Sequence, residues 1–347
     1  MPDRPLSPPA DRLVDRRPDV PASRLIADMV PPPRFADVSF DSYLPDPGQP
    51  TQSAAVAAAR VFAGAVGDRP ARRSWLRRAP DAPEARAGLY LDGGFGVGKT
   101  HLLASLWHAA EVPPDSKVFC TFVELTNLAG ALGFAATVEA LSGARLVCID
   151  EFELDDPGDT VLVSTLLTRL SRAGVRLAAT SNTLPGKLGE GRFAATDFLR
   201  EIQGLSAQFD VIRVDGDDYR HRGLPEAPAP VSDDDAVAVA AATGYTLDDF
   251  TALCAHLAGL HPSRYGPLLD GVTGIVLRGV TTVDDQNVAL RLVVLADRLY
   301  DRGVPVVAGG VPLDRLFAVE LLAGGYRKKY FRAVSRLVAL ARDAAIA

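Results

Sequence analysis

The sequence predicts an α/β fold, in which a parallel β-sheet is flanked by helices, followed by a smaller and mostly helical C-terminal domain. Two observations predict the sheet. Short apolar runs alternate with helical stretches over residues 88–214, and a glycine-rich loop joins the first run to the first helix. A third observation predicts the second domain, because the chain becomes mainly helical beyond a Pro- and acid-rich linker at residues 223–235.

The strand and helix pattern is regular along the first domain. Helical stretches at residues 101–110 and 160–171 lie between apolar runs that are short enough for buried strands. Beyond the linker only a few short runs resemble strands. The apolar runs of the first domain cover residues 88–91, 118–123, 145–149, 175–180 and 211–214, and those of the second cover 274–277 and 304–307.

Length and composition set the domain organisation. The chain has 347 residues, 48% of them hydrophobic and 23% charged, which suits a globular protein of two domains. We expect a poorly ordered Pro-rich arm over residues 1–35, a core domain over 36–225 and a C-terminal domain over 226–347. The net charge of −6 argues against a nucleic-acid binder held mainly by general electrostatics.

The cysteines and the N-terminal residues indicate a cytoplasmic protein. Cys120, Cys148 and Cys254 lie far apart, with neither a metal-ligand spacing nor an even count for a disulfide framework. Residues 1–20 contain no apolar signal-peptide core, and no run of 18 apolar residues exists. We therefore expect no transmembrane segment.

Residues 93–100 (GGFGVGKT) match the phosphate-loop pattern G-x-x-x-x-G-K-[ST] at every fixed position, between a predicted strand and a predicted helix. Glycines let consecutive backbone N–H groups face phosphate oxygens, and the helix N-terminus adds positive potential. Lys99 is expected to reach the β- and γ-phosphates, and Thr100 to bind Mg²⁺. The candidate nucleotide-binding residues are Gly93, Gly94, Phe95, Gly96, Val97, Gly98, Lys99, Thr100 and His101.

Asp150 and Glu151 follow the apolar run of residues 146–149, at the carboxyl end of a strand where parallel sheets bind ligands. Asp150 is the candidate Mg²⁺ ligand together with Thr100, and Glu151 is the candidate general base for the attacking water. This acidic pair favours hydrolysis over a non-hydrolysing scaffold. It also favours ATP over GTP, as does the absence of the NKxD motif that recognises guanine.

Asn182 ends another strand (VRLAATSN, residues 175–182) and is a candidate for orienting the water or sensing the γ-phosphate. The local sequence fits a strand-ending turn residue equally well. The chain order of phosphate loop, Asp-Glu strand and polar-ended strand favours the functional interpretation.

Arginines from a neighbouring subunit complete many ATPase sites, because their charge stabilises the transition state. Arg192 and Arg200 are candidates, and a surface helix pair of Arg200 with Glu201 is the alternative. Arg336 is a candidate nucleotide-sensing arginine of the second domain, and a solvated basic helix explains it equally well.

Several motifs together resemble the family of ZapE and the AFG-like ATPases, a branch of the AAA+ superfamily. The resemblance covers roughly residues 30–340. An entry segment at residues 31–52 (PPPRFADVSFDSYLPDPGQPTQ) precedes the phosphate loop, and CIDEF, TSNTLP, FLREI and DYR follow it. FTALC, DRLYDRGVPVV and SRL lie in the second domain.

The resemblance implies an AAA+ module with a five-stranded core and a C-terminal lid, Mg²⁺-dependent ATP hydrolysis, homo-oligomers and a protein partner, with a role in cell division among the expectations. Two further hypotheses are a DNA-directed ATPase, such as a helicase loader or replication initiator, and a non-hydrolysing scaffold. The DNA hypothesis needs a basic surface, for which the arginines of residues 72–78 around Trp75 are the candidate; a solvated surface segment is the alternative.

Overall fold

The computed structural model describes residues 11–19, 22–67, 88–94, 96–152, 157–184, 203–204, 206–216 and 226–346. The chain forms two compact units. The central unit comprises Pro21–His221, and the terminal unit combines Met1–Val20 with Arg222–Ala347.

The central unit contains the predicted five-stranded parallel sheet. Its strands are β1 (Gly88–Gly93), β2 (Lys117–Thr121), β3 (Leu146–Asp150), β4 (Arg176–Ser181) and β5 (Phe209–Val214). Their order across the sheet is β2-β3-β4-β1-β5, and each neighbouring pair is parallel. β4 therefore lies between β1 and β3, so the residues that follow these three strands meet at one edge.

Helices cover both faces of this sheet, as the alternation of apolar runs predicts. Along β1, Leu89 and Leu91 pack into one core, and Tyr90 packs into the core on the opposite face. The described helices of the unit are α1 (Ala22–Ala27), α2 (Pro50–Ala65), α3 (Lys99–Ala109), α4 (Phe122–Leu132), α5 (Phe134–Ser142) and α6 (Pro157–Arg172).

The terminal unit is mostly helical, and it also contains a three-stranded parallel sheet of order β6-β7-β8. Its strands are β6 (Thr246–Asp249), β7 (Ile275–Val280) and β8 (Val306–Gly310). β6 is short and ends in two aspartates, so apolar periodicity does not reveal it. The helices are α7 (Asp233–Thr243), α8 (Phe250–Ala258), α9 (Tyr265–Leu268), α10 (Gln286–Arg302), α11 (Val319–Ala323) and α12 (Arg327–Ile346).

The N-terminal residues differ from the predicted disordered arm where the structure describes them. Residues Leu13–Asp15 form a 3₁₀ helix whose Leu13 is fully buried in the core of the terminal unit. The backbone N–H groups of Leu13 and Val14 donate to the buried carboxylate of Asp248, at 3.0 and 3.1 Å. Because the surrounding sequence is rich in Pro and Arg, the short apolar pair Leu13-Val14 gives no clear signal of order. The pair is ordered through distant partners in β6.

Replacing Leu13 by alanine is expected to lower the free energy of unfolding by about 2–4 kcal/mol, because it leaves a cavity in a packed core. Chemical denaturation of the full chain, followed by circular dichroism, measures this loss. Val319→Ala, at a position 76% exposed in the same unit, is the control and should change stability by less than about 0.5 kcal/mol. Equal behaviour of the two variants would contradict the ordered placement of residues 11–17.

Within the described part of the chain, no helix combines the length and apolar character needed to cross a bilayer.

Candidate functional site

Glycines shape the described part of the loop between β1 and α3. Gly96 and Gly98 have φ values of 78° and 84°, in the left-handed region that favours glycine, and Gly98 caps the N-terminus of α3. Gly93 is required for a different reason, since a Cβ there would lie 2.2 Å from the carbonyl oxygen of Val214. The helix N-terminus and the turn together favour negative charge at this point.

The ammonium group of Lys99 is held among oxygen atoms beside this loop. Its Nζ donates to the carbonyls of Gly93, at 2.9 Å, and Gly94, and to Oδ1 of Asn182 at 2.8 Å. The residue is only 9% exposed. These neutral oxygens can be exchanged for phosphate oxygens, which form stronger charge-assisted hydrogen bonds with a buried ammonium group.

Thr100 and Asp150 are in direct contact. The Thr100 hydroxyl donates to the two carboxylate oxygens of Asp150, at 3.0 and 3.2 Å, and Asp150 is 6% exposed. One hydroxyl and one carboxylate are oxygen ligands of the kind that Mg²⁺ takes beside waters and substrate phosphates. The residues therefore fit Mg²⁺ bound with a nucleotide, and no cluster of three His, Cys, Asp or Glu side chains suited to a metal occurs among the described residues.

Glu151 occupies a strained turn. Its φ of 55° is the one positive value found for a non-glycine residue in the described part of the chain. Two hydrogen bonds to one residue of β4 hold the turn: Glu151 N donates to Thr180 Oγ1 at 3.0 Å, and Phe152 N donates to the Thr180 carbonyl at 2.7 Å. Phe152 is fully buried, so the turn is fixed while the Glu151 side chain stays partly exposed.

Thr180 is a site residue that sequence reasoning missed. Its hydroxyl donates to Asp150 Oδ1 and accepts from Glu151 N, so one side chain links the two acidic residues. The available signal was the small polar end of strand β4. That signal points to Asp150 and Glu151 only once the strand order, with β4 next to β3, is known.

Thr180→Val, which keeps the side-chain shape, is expected to reduce ATP hydrolysis by about 10- to 100-fold, because small displacements of reacting groups are costly. Phosphate release by the purified variant measures this effect. Thermal unfolding should also show that the free energy of unfolding falls by about 1–3 kcal/mol, since the Asp150 carboxylate and the Glu151 N–H each lose a hydrogen-bond partner. Thr180→Ser keeps the hydroxyl and should retain activity; a fully active Thr180→Val would exclude the positioning role.

His101 faces a different neighbour from the one expected. Its Nε2 lies 3.0 Å from Ser42 Oγ and 3.1 Å from the Ser39 carbonyl, and its ring packs edge-on against Tyr43 at 5.6 Å. The described contacts of this side chain are therefore with the entry segment, residues 31–52. A contact of His101 with nucleotide stays a prediction.

Other predicted residues fall outside the described part of the chain. These are Phe95, Arg192, Arg200 and the basic stretch at residues 72–78. Their roles in nucleotide contact, in completing a neighbouring site and in binding nucleic acid stay predictions.

Arg336 lies on α12 and forms an ion pair with Asp297, which also accepts from Arg332 at 2.7 Å. Its guanidinium stands 5.1 Å from the ring centre of Tyr300. Burial alone would raise the pKa of Asp297, but the two guanidinium groups hold that pKa below its ordinary value. Arg336 therefore belongs to a charge network of the terminal unit, and its nucleotide-sensing role stays a prediction.

Comparison with known proteins gives a family match over nearly the whole chain. The model of the AFG1-like ATPase family matches residues 19–241 and 234–347. The cell division protein ZapE of Escherichia coli (strain K12) is 28% identical over 306 residues, which cover 76% of this chain and 80% of that protein. Lactation elevated protein 1 homolog B of Danio rerio is 26% identical over 165 residues, covering 42% and 33% of the respective chains.

Solved structures with a similar arrangement include domain III of the replication initiation protein DnaA from Thermotoga maritima. It is 19% identical and has a TM-score of 0.38, with 52% of this chain and 67% of that chain covered.

Proposed function

Because the chain belongs to the AFG1-like ATPase family, we propose that it binds ATP on residues 93–100 and hydrolyses it with Mg²⁺. The observation that carries the proposal is that the loop after β1 meets the ends of β3 and β4 at one edge of the sheet. Thr100 contacts Asp150, which Glu151 follows directly, and Lys99 contacts Asn182. In this proposal residues 36–225 form the nucleotide-binding core, and residues 226–347 form the lid domain.

Binding begins with the loop amides and Lys99. The backbone N–H groups of the glycine-rich turn and the first turn of α3 surround the phosphates. Lys99 exchanges the carbonyls of Gly93 and Gly94 for β- and γ-phosphate oxygens and stays close to Asn182. This exchange keeps a buried positive charge paired throughout binding.

Thr100 and Asp150 hold the metal side of the site. When bound, Mg²⁺ would neutralise charge that develops on the phosphate oxygens. The Thr100 hydroxyl would supply one oxygen to the ion, and the Asp150 carboxylate would bind it directly or through water. Thr180 keeps that carboxylate in place by donating to Oδ1.

Glu151 is the proposed general base. Its carboxylate accepts the proton of the attacking water, a role that contributes about 10²–10⁴-fold in rate. The strained backbone at Glu151 is held by the hydrogen bond from its N–H to the Thr180 hydroxyl. Asn182 orients the water or the γ-phosphate from the end of the neighbouring strand β4.

For the cellular role, the proposed activity is that of an oligomeric ATPase that remodels or regulates a protein partner in the cytoplasm. Arg192 or Arg200 would complete the site of the next subunit. The similarity to a protein named for cell division supports a partner in the division apparatus. A protein partner is preferred to DNA because the net charge is −6 and the basic stretch at residues 72–78 is the one feature that favours nucleic acid.

Steady-state phosphate release from ATP, with Mg²⁺ or with a chelator, tests the proposal over a range of protein concentrations. Hydrolysis should require Mg²⁺, and the specific activity should rise with concentration if subunits share sites. A constant specific activity would contradict the sharing of sites between subunits and would leave the proposed hydrolysis of ATP unaffected. Loss of all activity together with absent ATP binding would overturn both.

A further inference from the structure

We propose that Tyr43 of the entry segment is a positioning residue for the phosphate loop, which it holds in its binding conformation before nucleotide arrives. The inference rests on the proposed nucleotide function of residues 93–100 and adds a residue that lies far from them in the sequence. It acts through the loop backbone and need not touch the nucleotide itself.

Tyr43 contacts the loop in two ways. Its hydroxyl donates to the carbonyl oxygen of Val97 at 2.8 Å, in a buried hydrogen bond. Its ring packs directly on Gly98, where an added Cβ would lie 2.5 Å from Cε2 of the tyrosine. Tyr43 is itself 9% exposed, so both contacts are shielded from water.

Because a peptide unit is planar and rigid, this contact also fixes the direction of the Gly98 N–H. The Val97 carbonyl and the Gly98 N–H belong to one planar trans peptide, in which the two groups point to opposite sides. Holding the carbonyl towards Tyr43 therefore turns the Gly98 N–H to the other side of the loop, away from the tyrosine. Gly98 has a φ of 84° and the conformational freedom of glycine, so its peptide needs an outside restraint.

The entry segment that carries Tyr43 is anchored on both flanks. On one side, His101 in the first turn of α3 contacts Ser39 and Ser42. On the other side, the amide of Gln52 accepts from Asp46 N and donates to the carbonyl of Asp215, each at 2.8 Å. Tyr43 is thus attached to a fixed support, as a side chain must be if it is to restrain a loop.

Tyr43→Phe is the direct test, because it removes the hydroxyl and keeps the ring. Loss of one buried hydrogen bond predicts that Kd for ADP and KM for ATP rise by about 3- to 10-fold, with kcat changed less than about twofold. Calorimetric titration with ADP and steady-state hydrolysis measure the two quantities. A purely structural role would instead lower kcat or the number of binding sites and leave Kd and KM unchanged, which would overturn the inference.

Tyr265→Phe is the matched control in the terminal unit. Tyr265 also donates a buried hydroxyl to a backbone carbonyl, that of Leu257 at 2.9 Å. The Tyr265 hydroxyl also accepts from Arg291 Nη1 at 3.3 Å, so Tyr265→Phe should lose at least as much thermal stability as Tyr43→Phe. Only Tyr43→Phe should weaken ADP binding. Equal nucleotide affinities in the two variants would refute the positioning role. Wild type and Lys99→Ala are measured in parallel: a wild type that binds no nucleotide would refute the proposed function, and the inference with it.

Discussion

Replacing Lys99 by alanine is expected to weaken ATP binding by about 100-fold or more and to remove measurable hydrolysis. The side chain supplies charge-assisted hydrogen bonds to two phosphates, each worth about 1.5–3 kcal/mol. Its ammonium is already held in the loop by Gly93, Gly94 and Asn182, so little rearrangement is needed when phosphate arrives. Calorimetric titration with ATP, and phosphate release under the same conditions, measure the two effects.

Lys117→Ala is the control for losing a buried lysine from the same unit. Lys117 is as buried as Lys99, and its Nζ donates to the Trp107 carbonyl at 2.9 Å, near the C-terminus of α3. Burial lowers the pKa of the Lys117 ammonium group. This variant should lose stability and keep its affinity for ATP. Retained ATP affinity in Lys99→Ala, or equal losses in the two variants, would show that the loop is not the phosphate site.

Glu151→Gln is expected to lower the hydrolysis rate by about 10²–10⁴-fold while ATP still binds, because the amide cannot accept the proton of water. Glutamine has nearly the same size, so the turn at Glu151 and its hydrogen bond from N to Thr180 should survive. Single-turnover hydrolysis separates this chemical defect from a binding defect.

Glu124→Gln is the matched control. Glu124 belongs to the capping box of α4, where its carboxylate accepts from the N–H of Thr121 at 2.7 Å, and glutamine serves equally well in such a box. The control should hydrolyse ATP at the wild-type rate. If Glu151→Gln did the same, the general base would have to be another group.

The glycine-rich turn between β1 and α3 could be predicted from sequence because its requirements are local. Glycines, a lysine and a hydroxyl at fixed spacing between a strand and a helix are enough to specify the turn. Among its described residues, Gly96 and Gly98 have the left-handed conformation and lie directly before α3. Asp150 could be predicted similarly, since a buried strand ending in a carboxylate is also a local pattern. The five parallel strands followed from the alternation of apolar runs.

The contacts that support this loop could not be predicted, because they depend on where distant segments meet. Thr180 reaches Asp150 only because β4 lies between β1 and β3, and Tyr43 reaches Val97 across 54 positions of the chain. Leu13 and β6 were missed for the same reason. Each is short or polar in its local sequence and becomes ordered through partners that are remote in the chain.

Calorimetric titration of the wild-type chain with ATP in the presence of Mg²⁺ tests the central claim most directly. The structure predicts saturable binding at one site per chain, which disappears when Lys99 is replaced by alanine. Absence of any saturable heat from the folded wild type, or binding that Lys99→Ala leaves unchanged, would contradict the assignment of residues 93–100 as the phosphate site.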